Sequence, residues 1–513
     1  MSQEMSQLLR IRREKLDALR EKGIDPYSYA FSRSHRTDEA VSAFAKAETE
    51  GTLGGDGDGL SVCIAGRILS WRDHGKSAFA HLGDGVGRLQ VYFRRDILGE
   101  EDFESLAFLD LGDWTGVEGV LFRTSTGEIT VRVSSWTLLA KSLRPLPLAK
   151  EEVDRETGER VVHSGFTDTQ TRYRQRYVDL AVHPEVRETF RVRARVIAEL
   201  RRFLDARGYL EVETPVLQPI YGGAAAQPFT TRHNALDSTL YLRIADELYL
   251  KRLIVGGFER VYEIGKDFRN EGIDRIHNPE FTMLEFYEAY ADYEGMMGLV
   301  EELMQDVVTV TLGRPMLNYQ GREIGFMAPF PRISFLNALS DKLGEDAASL
   351  ETEALRARVR DITGETLESV GRGGLLDKLF SILVEPELIE PSFVMDFPVE
   401  LSPLAKLKRG DPTLAERFEL FIAGREVANA FSELNDPIDQ RERFEAQARL
   451  REAGDEEAHP LDEDYLCAME YGMPPTGGVG IGVDRLVMLL TDSLSIRDVI
   501  LFPTLRPEEE PSG

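Results

Sequence analysis

Phe268-Arg269-Asn270-Glu271-Gly272, then His277, then Pro279-Glu280-Phe281-Thr282-Met283-Leu284-Glu285-Phe286-Tyr287, is the stretch on which the reading of this 513-residue chain turns. It reads as two short strands and the loop that joins them. Arg269 can grip a carboxylate or a phosphate with a planar, two-pronged fork. Phe281 offers a flat face on which a purine can stack. Glu285 and Tyr287 are two apart, so on a strand they point to the same side. A negative charge and a hydroxyl on one side suit a cationic ligand. Taken alone, the segment also fits an ordinary hairpin with its charges in water.

Three other segments carry the argument outward. Gly477-Gly478-Val479-Gly480-Ile481-Gly482-Val483-Asp484-Arg485-Leu486-Val487-Met488 is glycine-rich and runs into an apolar stretch. Its glycines let a backbone come close to a ligand, and Arg485 is predicted at the first turn of the following helix. A dinucleotide loop would read G-x-G-x-x-G, which the spacing Gly478-x-Gly480-x-Gly482 does not match. Gly424-Arg425-Glu426-Val427-Ala428-Asn429-Ala430-Phe431-Ser432-Glu433-Leu434-Asn435-Asp436 follows Glu419 and sets carboxylates beside an amide. Upstream, Phe190, Val192, Val196, Ile197, Leu200, Phe203 and Leu204 recur at helical spacing. Gly208 is expected to end that helix in a left-handed cap. Tyr209 to Glu213 reads as a strand closed by Thr214-Pro215.

Together these segments resemble motifs 1, 2 and 3 of the class II aminoacyl-tRNA synthetases, subclass IIb, in the bacterial lysyl form. The resemblance runs from the N-terminal helix to Arg506-Pro507. It implies an α+β fold: a largely antiparallel sheet flanked by helices, with an N-terminal OB-fold barrel. It implies ligation of lysine to tRNA in two steps, through lysyl-adenylate and pyrophosphate. ATP is then the co-substrate, Mg2+ the cofactor, and tRNA(Lys) and L-lysine the partners. The motif 1 helix, which in that family builds a dimer interface, implies a homodimer, although an apolar helix of this kind also fits plain core.

Composition sets bounds. The net charge of −28 argues against broad coating of nucleic acid, which needs a basic surface. A local basic patch stays open. Arg10, Arg12, Arg13, Lys15, Arg20 and Lys22 share a helical pattern with Leu8, Leu9, Ile11, Leu16 and Leu19. That helix is either a solvated amphipathic face or one that touches the RNA backbone. No apolar run is long enough to cross a bilayer, and Met1 to Ile24 has no signal-peptide core. The 2 cysteines, Cys63 and Cys467, are too few for a disulfide framework or a cysteine-rich zinc site. Both are expected to be small buried hydrophobes, and the expected compartment is the cytoplasm, with no membrane partner.

The expected domains are an N-terminal helix and linker at 1–58, the barrel at 59–142, a connecting segment at 143–180 and the catalytic domain at 181–513. The linker carries Thr52 to Gly59 (TLGGDGDG). Short β-rich runs at Val62–Ala65, Phe79–Leu82, Leu89–Phe93, Gly116–Leu121 and Ile129–Val133 fit a small Greek-key barrel. A helical insertion at about 330–390 shows no chemistry in its sequence. Acidic runs occur at Glu452–Glu457 and Asp462–Asp464.

The resemblance assigns roles residue by residue. For ATP it implies Arg269, Glu271, His277, Phe281, Glu426 and Arg485. Phe281 and Arg485 would sandwich adenine, and Glu271 would read its exocyclic amine. Arg269 would hold the α-phosphate and His277 the outer phosphates. Arg269 and Arg485 are thus the catalytic pair, acting by positioning and electrostatics. Glu419 and Glu426 would bind magnesium, which favours carboxylates and phosphate oxygens. For lysine it implies Gly223, Glu247, Arg269, Glu285, Tyr287, Asn429 and Glu433. Glu285 and Glu433 would face the side-chain ammonium, Glu247 the α-ammonium, and Asn429 with Arg269 the carboxylate. The loop Gly222 to Phe229 would close over the substrate. Two buried carboxylates discriminate against neutral or acidic side chains. No Arg or Lys stands among the floor positions Glu285, Tyr287 and Glu433, whereas an aspartyl or asparaginyl enzyme of the subclass is expected to need a basic pocket. Relatives often have glycine where this chain has Ala428 and Ala430, a change expected to narrow the pocket beside Asn429. On the barrel, Arg72, Phe79 and Gln90 would read the central U of the anticodon and Glu128 a neighbouring base. Phe79 also fits barrel core. Rival readings are the aspartyl or asparaginyl enzyme, a paralogue that lysylates protein, and a non-enzymatic RNA-binding paralogue.

Overall fold

The computed structural model describes residues 3–53, 59–148, 150–153, 160–163, 165–365, 367, 370–452 and 460–508. Within the expected linker, residues 54–58 lie outside the described residues, as do 453–457 of the acidic run at 452–457. The chain forms two units, Met1–Arg172 and Tyr173–Gly513.

In the first unit, α1 (Gln3–Glu21) buries Leu16 and Leu19. Its basic residues are divided. Arg12 donates to the carbonyls of Ser142 at 2.8 Å and Leu111 at 3.0 Å, and Lys15 pairs with Asp110 at 2.8 Å. Arg10, Arg13 and Arg20 remain exposed. The helix is therefore docked by part of its own basic stripe.

Strands β1 (Ser61–Asp73), β2 (Ser77–Gly83), β3 (Arg88–Arg94), β4 (Trp114–Arg123) and β5 (Ile129–Ala140) close into a barrel in the order β1-β2-β3-β5-β4. Strict alternation builds it: Val62 and Ile64 point inward. Cys63, between them, points outward and donates from Sγ to the Ser32 carbonyl at 3.1 Å. Cys467 is exposed on a short helix whose Leu466 and Met469 take the inner face. Neither cysteine is a buried hydrophobe, because in each case the neighbours own the apolar face.

In the second unit, α2 (Pro184–Asp205) buries Val192, Val196, Leu200, Phe203 and Leu204, and Gly208 follows at φ 79°. The expected strand shrinks to β6 (Leu210–Glu211), parallel to its neighbour. Beyond it, Thr214 is drawn aside by two hydrogen bonds to Glu263. The main path of the sheet continues with β7 (Arg260–Phe268), β8 (Glu280–Ala289), β9 (Arg332–Ser334), β10 (Ser392–Pro398), β11 (Asp411–Ile422), β12 (Arg425–Ser432) and β13 (Thr476–Gly482), and a short ninth strand, Leu407–Lys408, pairs with β11 off that path. Its order is β9-β10-β11-β12-β13-β8-β7-β6, antiparallel except at its two edge pairs.

The sheet's two faces differ. On one, Tyr262, Leu284, Phe286, Phe418, Leu420, Val479 and Ile481 pack with α2 and a long helix at Tyr293–Leu312 into the main core. Ala428 and Ala430 belong to this face and are almost fully buried. Their methyl groups therefore do not narrow the space beside Asn429. They fill core behind it, because residues 428 and 430 alternate with 429 along the strand. The insertion is helical, with a core of its own around Leu355, Leu379 and Phe380.

Candidate active site

The other face carries the candidate site residues, and strand register assembles them. Glu263 on β7 lies opposite Glu285 on β8, which lies opposite Gly480 on β13, then Asn429 on β12, then Glu419 on β11. One row across five strands thus gathers residues from three sequence regions, 260–289, 411–432 and 476–482. The glycines of β13 keep it clear. A Cβ at Gly478 would fall 2.1 Å from Glu433 Oε1 and 2.4 Å from Tyr287 Cε1. One at Gly480 would fall 3.3 Å from the Met283 methyl.

At one end of this face the carboxylates crowd. Tyr287 donates to Glu285 Oε2 at 3.2 Å. Glu247 enters from the first turn of α3 (Glu247–Val255). Gly223, at φ 89°, crosses over it so closely that a Cβ would stand 3.1 Å from that of Glu247. Burial, reinforced by Asp267 and Glu247, pushes Glu285 well above the usual carboxylate range. Burial also raises Glu247, against the pull of Lys251. Glu433 is pushed up to about 8 by burial and Glu247, with Lys251 opposing.

Lys251, outside the candidate floor positions, brings a cation against them. Its fully buried Nζ lies 2.5 Å from Glu247 Oε1 and pairs with Glu433. Burial would lower its pKa, but Glu247 and Glu433 drive it up. Beside it, Arg243 bridges Asp246 at 2.8 Å, Glu263 at 2.6 Å and Asp267 at 3.3 Å.

At the other end stand the arginines. Arg485 opens the helix α4 (Val483–Leu490) and donates to both the carboxylate and the main-chain carbonyl of Glu426 at 3.0 Å. His277 Nε2 lies 3.5 Å from Arg485, and its Nδ1 is held by Asp274 at 2.8 Å. The Arg269 guanidinium lies 5.1 Å from the Phe281 ring centre and donates to the Ile244 carbonyl at 3.4 Å. Glu271 is exposed in the loop and joins none of the other candidates by hydrogen bond or ion pair among the described residues.

Between the two ends, Arg417 pairs with Glu419 and donates to Asn429 Oδ1 at 3.2 Å. Glu419 is pushed up to about 8 by burial, with Glu426 and Asp377 adding and Arg417 opposing. Asp377 is raised by burial with a contribution from Glu426, and Glu385 reaches about 7 through burial, Asp377 and Glu426. Both lie within 330–390, so acids of the insertion share the field of Glu426. Among the described residues no three His, Cys, Asp or Glu side chains are preassembled around one metal position. A cavity of about 1030 Å³ lined by Tyr209, Arg260, Glu288, Asp292 and Arg409 contains none of the candidates.

On the barrel, Arg72 lies opposite Phe79, and Phe79 stacks on Tyr92 at 4.3 Å between ring centres. Phe79 is only half-buried and sits on the outer surface, not in the core. Gln90 donates to Glu128 at 2.8 Å, and Glu128 also bonds His81 at 2.9 Å. Tyr92 and His81 were not foreseen, although both alternate in step with Gln90 and Phe79.

Residues 168–506 match the family model for class II tRNA synthetases (D, K and N), and residues 62–139 match that for an OB-fold nucleic acid binding domain. The chain is 54% identical to a lysine–tRNA ligase of Pelotomaculum thermopropionicum over 99% of its own length and 96% of the relative's. It is 52% identical to one from Carboxydothermus hydrogenoformans, over 99% of each chain.

Proposed function

Since the chain belongs to the class II tRNA synthetases of the D, K and N group, we propose that its carboxylate-lined sheet face is where lysine and ATP meet. The reaction is the ATP-dependent ligation of lysine to tRNA. The observation that carries the pocket assignment is the cluster of Glu247, Glu285 and Glu433 around Tyr287, buried and short of positive charge.

In this reading Glu433 and Glu285 receive the side-chain ammonium and Glu247 the α-ammonium, beneath Gly223. Arg417 occupies the carbonyl of Asn429, which leaves the amide N–H groups for the substrate carboxylate. Arg269, on the same side of the hairpin, reaches that carboxylate and the α-phosphate. A carboxylate oxygen attacks the α-phosphorus. The P–O bond to the outer phosphates breaks, and lysyl-adenylate and pyrophosphate form. Arg269 neutralises the charge that builds on the five-coordinate phosphorus. Phe281 stacks on adenine, Arg485 covers its other face and reaches a phosphate with His277, and Glu271 reads the exocyclic amine on loop closure. Glu419 and Glu426, paired with Arg417 and Arg485 here, are hard oxygen donors that would hold magnesium, which would supply neutralisation of the polyphosphate. A terminal ribose hydroxyl of tRNA(Lys) then attacks the carbonyl carbon, and AMP leaves.

The barrel face of Arg72, Phe79, Gln90 and Glu128 binds the anticodon in the same reading. The exposed edge strand β6, with exposed Leu210, Val216 and Leu217, supports a homodimer joined near motif 1. No described helix is long and apolar enough to cross a membrane, and the enzyme works in the cytoplasm. Incubation with unfractionated tRNA, ATP and labelled lysine tests the whole reading. Lysine should become acid-precipitable, with one pyrophosphate released per lysine. Exchange without transfer to tRNA would overturn it.

A further inference from the structure

The inference rests on the lysine pocket proposed above and concerns a residue that contacts no substrate in that reading. Three buried carboxylates, Glu247, Glu285 and Glu433, surround Tyr287, and one internal ammonium, that of Lys251, is placed among them. The Lys251 side chain is 0% exposed and bridges Glu247 at 2.5 Å and Glu433. Glu433 Oε1, over Gly478, is buried without a hydrogen-bond partner among the described residues. Among the neighbouring charges, Arg243 faces Asp246, Glu263 and Asp267, and Asp267 also lies in the field of Arg269. Arg417 is taken by Glu419.

We propose that Lys251 is a specificity-determining residue: its fixed ammonium cancels one of the three carboxylates Glu247, Glu285 and Glu433, so that trio is matched only when the substrate brings two ammonium groups, its own carboxylate being met by Arg269 and Asn429. Lysine brings two. An amino acid with a neutral side chain brings one and strands a buried carboxylate. Without Lys251 the pocket would call for three positive charges, which no single amino acid supplies. The internal lysine also holds the Glu247 and Glu433 carboxylates in place before substrate arrives.

The count makes an unusual demand. Glu433→Gln leaves two carboxylates facing Lys251, room for one ammonium only. That variant should lose its preference for lysine over norleucine, which has the same carbon chain without the amine. ATP–pyrophosphate exchange with full-length protein, ATP and magnesium measures kcat/KM for both amino acids. The lysine preference should fall by about 100-fold or more in E433Q, the cost of one unpaired buried charge. The double variant K251M/E433Q restores the count and should regain at least about tenfold of that preference. Thermal melting and the KM for ATP establish that each variant is folded. If the double variant does not fold, E433Q alone decides: a retained preference for lysine overturns the proposal. An equal or lower lysine preference in a folded K251M/E433Q overturns it too. Wild-type protein that shows no lysine-dependent exchange would instead sink the pocket assignment.

Discussion

Glu433 shows how much of this site is decided at single residues. Its pKa of about 8 stands above an ordinary 4.5 because burial and Glu247 disfavour the charge more than Lys251 restores it. An ammonium ion binds the ionised form, so below that value binding must release a proton. Lysine affinity should therefore rise with pH between 6 and 8, by about tenfold per unit for one full proton. Calorimetric titration in two buffers of different ionisation heat gives both the trend and the proton count, and a flat affinity would contradict the assignment. The sign for stability is opposite. A carboxyl with a raised pKa supports the ligand-free fold below pH 4.5 and withdraws that support as pH rises through about 8. Gly478 is the second such residue. Its replacement by alanine drives a methyl into Glu433 and Tyr287. The KM for lysine should rise about tenfold to 100-fold while that for ATP holds; an unchanged lysine KM would contradict the packing.

Strands are the elements that sort this sequence into site and core. Along β12, Asn429 shares the face of Glu285 and Glu419 while Ala428 and Ala430 face the core. Ala428→Gly should cost about 1 kcal/mol or slightly more, from backbone freedom and a lost buried methyl. It should leave the KM for lysine unchanged, and denaturant unfolding beside exchange kinetics separates the two. The motif residues were legible because their chemistry is local: an arginine, an aromatic and paired carboxylates at strand spacing. The row from Glu263 to Glu419 was not legible, because it depends on which distant strands lie side by side. Lys251 was within reach, since a glutamate four residues before a lysine is the standard helical ion-pair spacing. Asp377 and Glu385 gave no such signal: only tertiary packing brings an insertion helix under the field of Glu426. The cysteines were misread because burial at a single position depends on which face the neighbours claim.

At the scale of the whole molecule, the barrel and the large sheet lie in separate units, and the proposed function divides recognition between them. Variants in one should leave the other's chemistry intact. Phe79→Ala removes a half-exposed stacking surface and should raise the KM for tRNA about 5- to 100-fold, the worth of one base–aromatic stack. Lysine-dependent exchange should not change, and a matching loss in exchange would refute the division. The central claim is that three buried carboxylates and one internal ammonium select lysine. ATP–pyrophosphate exchange measured on the wild-type protein with lysine, aspartate and asparagine in turn tests it most directly. Exchange with lysine alone is the predicted result; exchange with aspartate or asparagine but not lysine would contradict it.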